Sequence, residues 1–565
     1  MRKQTKLVAV LSTAALLAIG ASMTSFAATG WVEEDGTWVY YNRDGERATE
    51  EWKRSGDNWF WLDDNGEMAV DQLIEDDDDY YYVNEAGAMV SNQWVSIENE
   101  DAGEEDEPDA YWYYFQANGK AYKRSSNASE DSVSAKTING KKYAFDEEGK
   151  MLYGWVNGGE RETDDDAWKN ADYYFGDEND GAMSLGWRQI NIVDDEYEEL
   201  QPGDEFWDEE QDRWFYFQTS GKKVKADAED NDNLKTKTIN GRKYGFDEHG
   251  RMIGDWYTEA TAVNADGTSS VAGEEVRQGD ELYTRTFMYF SDPEDGARVT
   301  KGWFKVVPGY YLHESKYDDG DDYWYYADGN GELYANEIKT IKGKKYAFDN
   351  YGRMIDGLAL LQMVQKDNDK FDSTEISQKW DDDSQYNYET EDDFDDLVEA
   401  EAGKFSTGEF RFYYFGDSDD GAMKTGKQTV DIDGDKFTFK FKDSSSTKGA
   451  GIHGEDDHKL YMAGKLVEAD SDDKYQVVVY DEENNAITMT KMDTDEFIEA
   501  YCGDGVEDED GDTTWTVDEN AVGEKKLYLV NTSGSMVKNK SAAKDGEDYK
   551  FNVDSYEIKS VTLED

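Results

Sequence analysis

The chain is poor in the residues that staple or stiffen a protein. Its 565 residues include one cysteine, Cys502, which has no partner in the chain, so a disulfide scaffold is excluded. There are only 4 prolines, and Pro108, Pro202, Pro293 and Pro308 all fall in or beside connections between strand-like segments. Proline cannot donate to a β-ladder, so that is where strands tolerate it. Positive charge is also scarce: 59 Lys+Arg stand against 130 Asp+Glu, a net charge of −71. A chain of that sign lacks the basic footprint that phosphate contacts need, which argues against nucleic acid as a partner. Hydrophobic residues reach only 37%, and strong acidity with few apolar residues usually reads as disorder. The aromatics oppose that reading. Trp 17, Tyr 39 and Phe 24 make 14% of the chain, and each such ring buries a large area.

The N-terminus has the form of a secretory signal. Arg2, Lys3 and Lys6 precede the apolar run Leu7–Ile19, and Ser25-Phe26-Ala27 supplies small residues at −3 and −1 of a cleavage site after Ala27. The run is shorter than the ~20 residues a membrane span needs, and no second hydrophobic segment follows. The expectation is an exported protein with no membrane insertion once the signal is removed. Whatever holds it at a surface must then be its own binding activity.

A 21-residue beat begins directly after the signal. Trp31, Trp52 and Trp94 lie on one comb, with Leu73 at the missing tooth. Trp38, Trp59 and Tyr80 form a second comb, and Gly45, Gly66 and Gly87 a third. Each unit reads as an aromatic hairpin followed by a polar four and Gly-x-Met. Asp35-Gly36 suits a type I′ turn and Gly56-Asp57 a type II′ turn, the two that match strand twist. Centring the first hairpin on Asp35-Gly36 pairs Trp31 with Tyr40. Period-2 alternation then puts Trp31, Trp38 and Tyr40 on one face, and Trp52, Trp59 and Trp61 on one face of the next hairpin. A lone two-stranded hairpin is marginal in water, so stacking is required.

Beyond residue 111 the beat lengthens. Thr137-Ile138-Asn139-Gly140-Lys141-Lys142-Tyr143 returns as Thr238-Ile239-Asn240-Gly241-Arg242-Lys243-Tyr244 and again as Thr340-Ile341-Lys342-Gly343-Lys344-Lys345-Tyr346. This super-repeat of about a hundred residues overlies the hairpin beat. Acidic stretches interrupt the units, and Phe371–Glu401 is the one insertion expected to hold a short helix. The fold class expected is all-β, a stacked β-hairpin solenoid with long acidic loop insertions. Its parts are the signal (1–27), N-terminal hairpin repeats (28–130), super-repeats (131–425) and divergent C-terminal hairpins (426–565).

Gly30-Trp31 through Trp38-Val39-Tyr40-Tyr41-Asn42 to Gly45, and Trp112-Tyr113-Tyr114-Phe115, resemble the choline-binding, or cell-wall-binding, repeat of Gram-positive surface proteins and lytic enzymes. The Gly-Lys-Lys-Tyr-x-Phe-Asp units look more like the carbohydrate-binding repeats of clostridial toxins and glucan-binding proteins. The resemblance implies a left-handed β-solenoid with ligands held between consecutive hairpins by aromatic side chains. Carried over by motif, the candidate ring residues are Trp31, Trp38, Tyr40, Trp52, Trp59, Trp61, Trp94, Trp112 and Tyr114. A quaternary ammonium donates no hydrogen bond and is recognised by ring faces, each contributing ~0.5–2 kcal/mol. The same rings stack on sugars. Leu73 and Tyr80 in the third hairpin, and Lys142, Lys243 and Lys345 further on, replace tryptophans, so only some steps can form a cage.

The implied partner is choline on wall teichoic acid, or wall polysaccharide, with extracellular or host glycans as the alternative for an adhesin. A wall hydrolase is the third reading, although no stretch has the composition of a separate catalytic module. With so many acids, paired carboxylates carry no weight as a catalytic signal. Asp508–Asp512 and Asp431–Asp435 are fragments of calcium loops whose first ligand position is Val506 or Thr429. His453, His458, His249 and His313 read as solvated loop residues rather than zinc ligands, and Cys502 as a half-buried structural thiol. No catalytic residue, metal site or cofactor is implied.

Overall fold

The computed structural model describes residues 29–104, 106–129, 133–197, 208–227, 234–258, 260, 268–271, 273–364, 367–372, 386–546 and 548–564. The signal segment and its cleavage site therefore lie outside the described residues. The chain is mostly β, 45% strand against 9% helix, and strands pair antiparallel throughout the described sheets.

Four hairpins open the chain: β1 (Gly30–Glu34) with β2 (Thr37–Tyr41), β3 (Glu51–Ser55) with β4 (Asn58–Leu62), β5 (Gln72–Asp76) with β6 (Asp79–Val83), and β7 (Gln93–Glu98) with β8 (Ala110–Phe115). Turn chemistry sets their register. Asp35 and Gly36 both take positive φ, 53° and 89°, as a type I′ turn requires, while Gly56 at 61° opens the type II′ turn. Trp31 consequently faces Tyr40, and Glu33 faces Trp38, the pairing expected from the turn.

One backbone contact recurs between successive hairpins. The amide of the residue two past the Gly of Gly-x-Met donates to the second-strand residue of the hairpin before. Met68 donates to the Trp38 carbonyl (2.7 Å), Met89 to Trp59 (2.8 Å), Ala121 to Tyr80 (2.7 Å), Met151 to Trp112 (2.8 Å) and Met183 to Lys142 (2.8 Å). The glycine of the motif has its own reason. A Cβ on Gly87 would stand 2.7 Å from Met68 Cε, and one on Gly119 would stand 2.5 Å from Met89 Sδ. Each methionine is roofed by the next repeat's glycine, so Gly-x-Met is a packing device built across repeats.

The described chain divides into two compact units, residues 1–188 with 215–224, and residues 189–214 with 225–565. The first contains the opening hairpins and continues through the Lys136–Ile138/Lys141–Tyr143 hairpin to a sheet built on Gly154–Asn157 and Tyr173–Phe175. The second repeats the same logic: Met252 donates to the Trp214 carbonyl, Met354 to Trp324, Met423 to Lys345 and Met536 to His458. Its expected short helix runs over Glu391–Ala400. Thr390 and Asp393 close a capping box at its start, and Phe394, Leu397 and Val398 are its buried face.

Towards the C-terminus the hairpins stop being separate. Those at Gly454–Asp456/Lys459–Met462 and Tyr475–Glu483/Ala486–Met492 form as expected, but they share edges with other strands. Tyr475–Glu483 also pairs with Lys526–Asn531, and Glu557–Leu563 pairs with Thr513–Thr516 and Tyr549–Asp554, giving an eight-stranded sheet. The reason is aliphatic alternation. Val477, Val479, Leu527, Leu529, Phe551, Val553, Ile558 and Val561 cluster on one face beneath Phe497 of the helix Thr494–Tyr501.

The histidines correct a second expectation. His313 is 7% exposed and stacks on Tyr351 at 3.9 Å, and burial pushes its pKa down to about 3. His453 is part-buried, its Nδ1 accepting from the Ala463 amide (3.2 Å) and its Nε2 against the Ile487 carbonyl (3.0 Å). Those two are structural residues rather than solvated ones, each drawn inward by packing on rings or by backbone bonds. Cys502 is half-buried, with burial raising its thiol pKa to about 11.

Candidate aromatic binding sites

The repeated amide-to-carbonyl contact decides which rings meet. It lays the Trp face of one hairpin against the opposite face of the next, so a ring set draws from two hairpins and from both faces. Between the first two hairpins, Trp31 and Trp38 meet Phe60, Ser55 and Met68 around a half-open apolar depression of about 10 Å³. Trp31 stands edge-to-face on Phe60 with centroids 5.3 Å apart, and on Tyr40 at 5.4 Å. Its indole Nε1 is buried without a hydrogen-bond partner. A volume that small admits about one water, so a quaternary ammonium would engage these rings from the solvent side rather than being engulfed.

The same geometry recurs. Trp52 packs on Tyr81 at 5.1 Å, and Trp59, the second-strand ring whose carbonyl takes the Met89 amide, is 41% exposed. Trp94 packs on Tyr143 at 4.9 Å and Phe145 at 5.8 Å, while Trp112, whose carbonyl takes the Met151 amide, rests on the same cluster. In the second unit Trp303 meets Tyr346 at 4.8 Å and Trp324 at 6.2 Å, and Trp324 takes the Met354 amide. Register equates these residues with the first set. Trp303 faces Tyr326 as Trp31 faces Tyr40, and Lys305 faces Trp324 as Glu33 faces Trp38.

The nine residues expected at sites thus divide. Trp31, Trp38, Trp52, Trp59, Trp94 and Trp112 occupy the first-strand and second-strand positions of the ring sets. Tyr40 faces the Lys53 ammonium at 5.0 Å, and Tyr114 stacks on Tyr122 at 5.7 Å. Trp61 is 9% exposed and belongs to a core cluster with Ala69, Ile74 and Val83. The candidate ring residues from the sequence did not include Phe60, Tyr81, Tyr143, Tyr346, the motif methionines, or Trp303 and Trp324. The signal was present: Val39, Phe60 and Tyr81 keep the 21-residue comb. Their role needs face-to-back stacking, which alternation within one hairpin does not specify.

Other steps are filled. At the third hairpin Leu73 and Tyr80 pack onto Tyr113 and Ala121 in a core cluster. At Trp256, 8% exposed, Tyr325 and Leu333 close the space. The step at Trp155 is filled by a cation. Trp155 packs on Phe215 at 5.2 Å, and the motif methionine is replaced by Lys223, whose amide makes the usual contact, to the Asp172 carbonyl (2.7 Å). The Lys223 ammonium stands 5.1 Å from the Trp155 ring and 5.7 Å from Phe215 and donates to the Trp168 carbonyl, with the residue 3% exposed. The fold therefore holds a cation of its own against rings at this position. Where the second-strand residue is Lys142 or Lys345, a cation stands in place of the tryptophan. There the preceding base makes an exposed pair with the following repeat: Lys141 with Asp180 (2.6 Å) and Lys344 with Asp420 (3.4 Å), as Arg242 pairs with Asp295.

Among the described residues no group of three or more His, Cys, Asp or Glu is arranged to hold a metal ion, and no helix is long and apolar enough to cross a membrane.

Residues 28–72, which span the first of these ring sets, match a family described as the choline-binding repeat. Over 279 residues the chain is 26% identical to glucosyltransferase-S of Streptococcus mutans serotype c; the match covers 44% of this chain and 16% of that protein, so the chain spans about a sixth of its length. Among solved structures, the modular autolysin LytC from Streptococcus pneumoniae in complex with a synthetic peptidoglycan ligand is 16% identical. That match covers 62% of this chain and 57% of the other, with a TM-score of 0.29. Choline binding protein F of Streptococcus pneumoniae is also 16% identical, covering 79% of this chain and 100% of its own, with a TM-score of 0.21.

Proposed function

We propose that this chain, which carries a choline-binding repeat over residues 28–72, is an exported, non-enzymatic wall-binding protein. It holds choline-bearing wall polymer by aromatic sets between the stacked hairpins of a solenoid. The observation that carries the reading is the constellation Trp31, Trp38, Phe60 and Met68, gathered from two hairpins around one apolar depression. Ring faces attract a quaternary ammonium, and the methionine offers its methyl groups a soft, polarizable wall. Lys223 against Trp155 and Phe215 supports the same chemistry from within the chain. A net charge of −71 raises the local concentration of any cation. Binding through several such sites along one polymer would add avidity without any single site being tight.

The test is Trp38→Ala with Trp59→Ala. Choline-dependent quenching of tryptophan fluorescence falls in this double variant while far-UV circular dichroism stays that of the parent. Global loss of β structure would show instead that the rings are core. A second reading, binding of neutral glycans, draws on indole groups held by acids. Trp214 donates to Glu294 (3.1 Å), which places a ring beside polar groups able to bind hydroxyls. Titration with neutral oligosaccharides separates the two.

A further inference from the structure

The second compact unit contains a pocket of different character. It lies between the helix Ala402–Thr407, the strand Phe410–Tyr414 and the loop after Phe441, with a cavity volume of about 180 Å³. Phe405 and Phe412 are among its apolar walls, and Arg411, Lys442, His453 and Thr447 are among its polar ones; no carboxylate lines it. In a chain with 130 acids, a cavity lined by cations alone is a specific arrangement.

Neither cation is neutralised. Among the described residues, no carboxylate is within ion-pair distance of Arg411 or Lys442. Arg411 Nη1 is buried with no hydrogen-bond partner. Lys442 reaches the pocket from an exposed position, and partial desolvation and the neighbouring guanidinium lower its pKa. His453 adds no charge, since its two ring nitrogens are committed to the Ala463 amide and the Ile487 carbonyl, and burial holds its pKa down. Gly408 brings the backbone close to the guanidinium: a Cβ there would stand 3.4 Å from Arg411 Nε. Two like charges facing one cavity repel each other, and a buried donor without an acceptor is costly. An anion between them relieves both.

We propose that this pocket binds a phosphate group. The guanidinium offers paired donors to two oxygens and the ammonium a point charge to a third, a combination suited to a tetrahedral oxyanion. The volume leaves room for a small organic substituent against the phenylalanines. This site is independent of the aromatic sets and stands whether or not they bind choline.

Isothermal titration of the full chain with inorganic phosphate, glycerol 1-phosphate and acetate, at fixed ionic strength set by chloride, tests it. Saturable binding of the phosphates is expected, about tenfold or more tighter than acetate. Lys442→Met and Arg411→Gln should each weaken it about tenfold, while Lys427→Met, outside the pocket, should not. Tighter binding of glycerol 1-phosphate would identify polymer-borne phosphate as the source, and equal binding the free ion. If Arg411→Gln fails to fold, Lys442→Met decides, because it keeps the side chain's length. Absence of saturable phosphate binding, acetate binding as tightly, or binding unchanged by Lys442→Met would overturn the proposal.

Discussion

Two steps of the first unit use one backbone contact to opposite ends. At the first, Met68 donates to the Trp38 carbonyl and leaves Trp31, Trp38 and Phe60 around an open depression. At the other, Lys223 donates to the Asp172 carbonyl, and its own ammonium lies against Trp155 and Phe215. The difference teaches that the hairpin contact is generic and the site is not. Two side chains decide the outcome: the second-strand residue, Trp38 against Asp172, and the residue two past the motif glycine, Met68 against Lys223. The lysine steps extend the lesson. Lys142 and Lys345 occupy the Trp38 position by the same contact, so those hairpins supply Tyr143 and Tyr346 to the preceding ring sets and present a cation where the next set would have its tryptophan.

The largest expected effect breaks the open side of the comparison. Alanine at Trp38, Trp59, Trp112 and Trp324 together should remove choline-dependent fluorescence change, each set losing ~0.5–2 kcal/mol per ring. Alanine at Lys142 and Lys345 should leave the signal unchanged. Next comes the filled side. Lys223→Ala empties a space between Trp155 and Phe215 and should cost about 2–4 kcal/mol in urea unfolding, whereas Lys223→Met, which restores the residue of the other steps, should cost under about 1.5 kcal/mol. Met68→Ala should weaken choline at the first step by about 1 kcal/mol through lost contact.

The smallest effect concerns the exposed pair Arg242–Asp295. Its hydrogen bonds to Arg242 lower the Asp295 pKa. A carboxylate whose pKa is depressed on folding stabilises at pH above its unfolded value, and that contribution is lost as pH falls through the folded value. Both groups are largely solvated, so Asp295→Asn should change stability by under about 1 kcal/mol at neutral pH, less in high salt, and by nothing in strong acid. Urea midpoints across acid pH at two salt concentrations check it.

Much of this was legible in the sequence, for stated reasons. Asp35-Gly36 and Gly56-Asp57 fix turn type and hence register, so Trp31 opposite Tyr40 follows from local chemistry alone. The substitutions at Leu73, Tyr80 and Lys142 mark steps that lack the tryptophans: Leu73 and Tyr80 pack onto Tyr113 and Ala121, and Lys142 stands at the Trp38 position. What alternation could not supply was how one hairpin sits on the next. Trp61 shares a face with Trp52 in the sequence and lies in a core cluster in the fold, while Phe60, on the other face, joins Trp31 and Trp38. Those assignments depend on the inter-hairpin contact and on the glycine that roofs each methionine, both non-local. The C-terminal sheet was hidden for a similar reason. Tyr475–Glu483 reads as half of a hairpin, and only tertiary pairing with Lys526–Asn531 makes it an interior strand.

Elution of the mature protein from a quaternary-amine resin tests the central claim most directly. A chain this acidic adsorbs to any anion exchanger, so retention is uninformative and elution is compared at constant ionic strength. Recognition by ring sets predicts that free choline releases the protein at a salt concentration where sodium chloride alone does not, and that neutral glycans do not release it. Release by choline chloride no better than by sodium chloride at equal ionic strength would contradict the account.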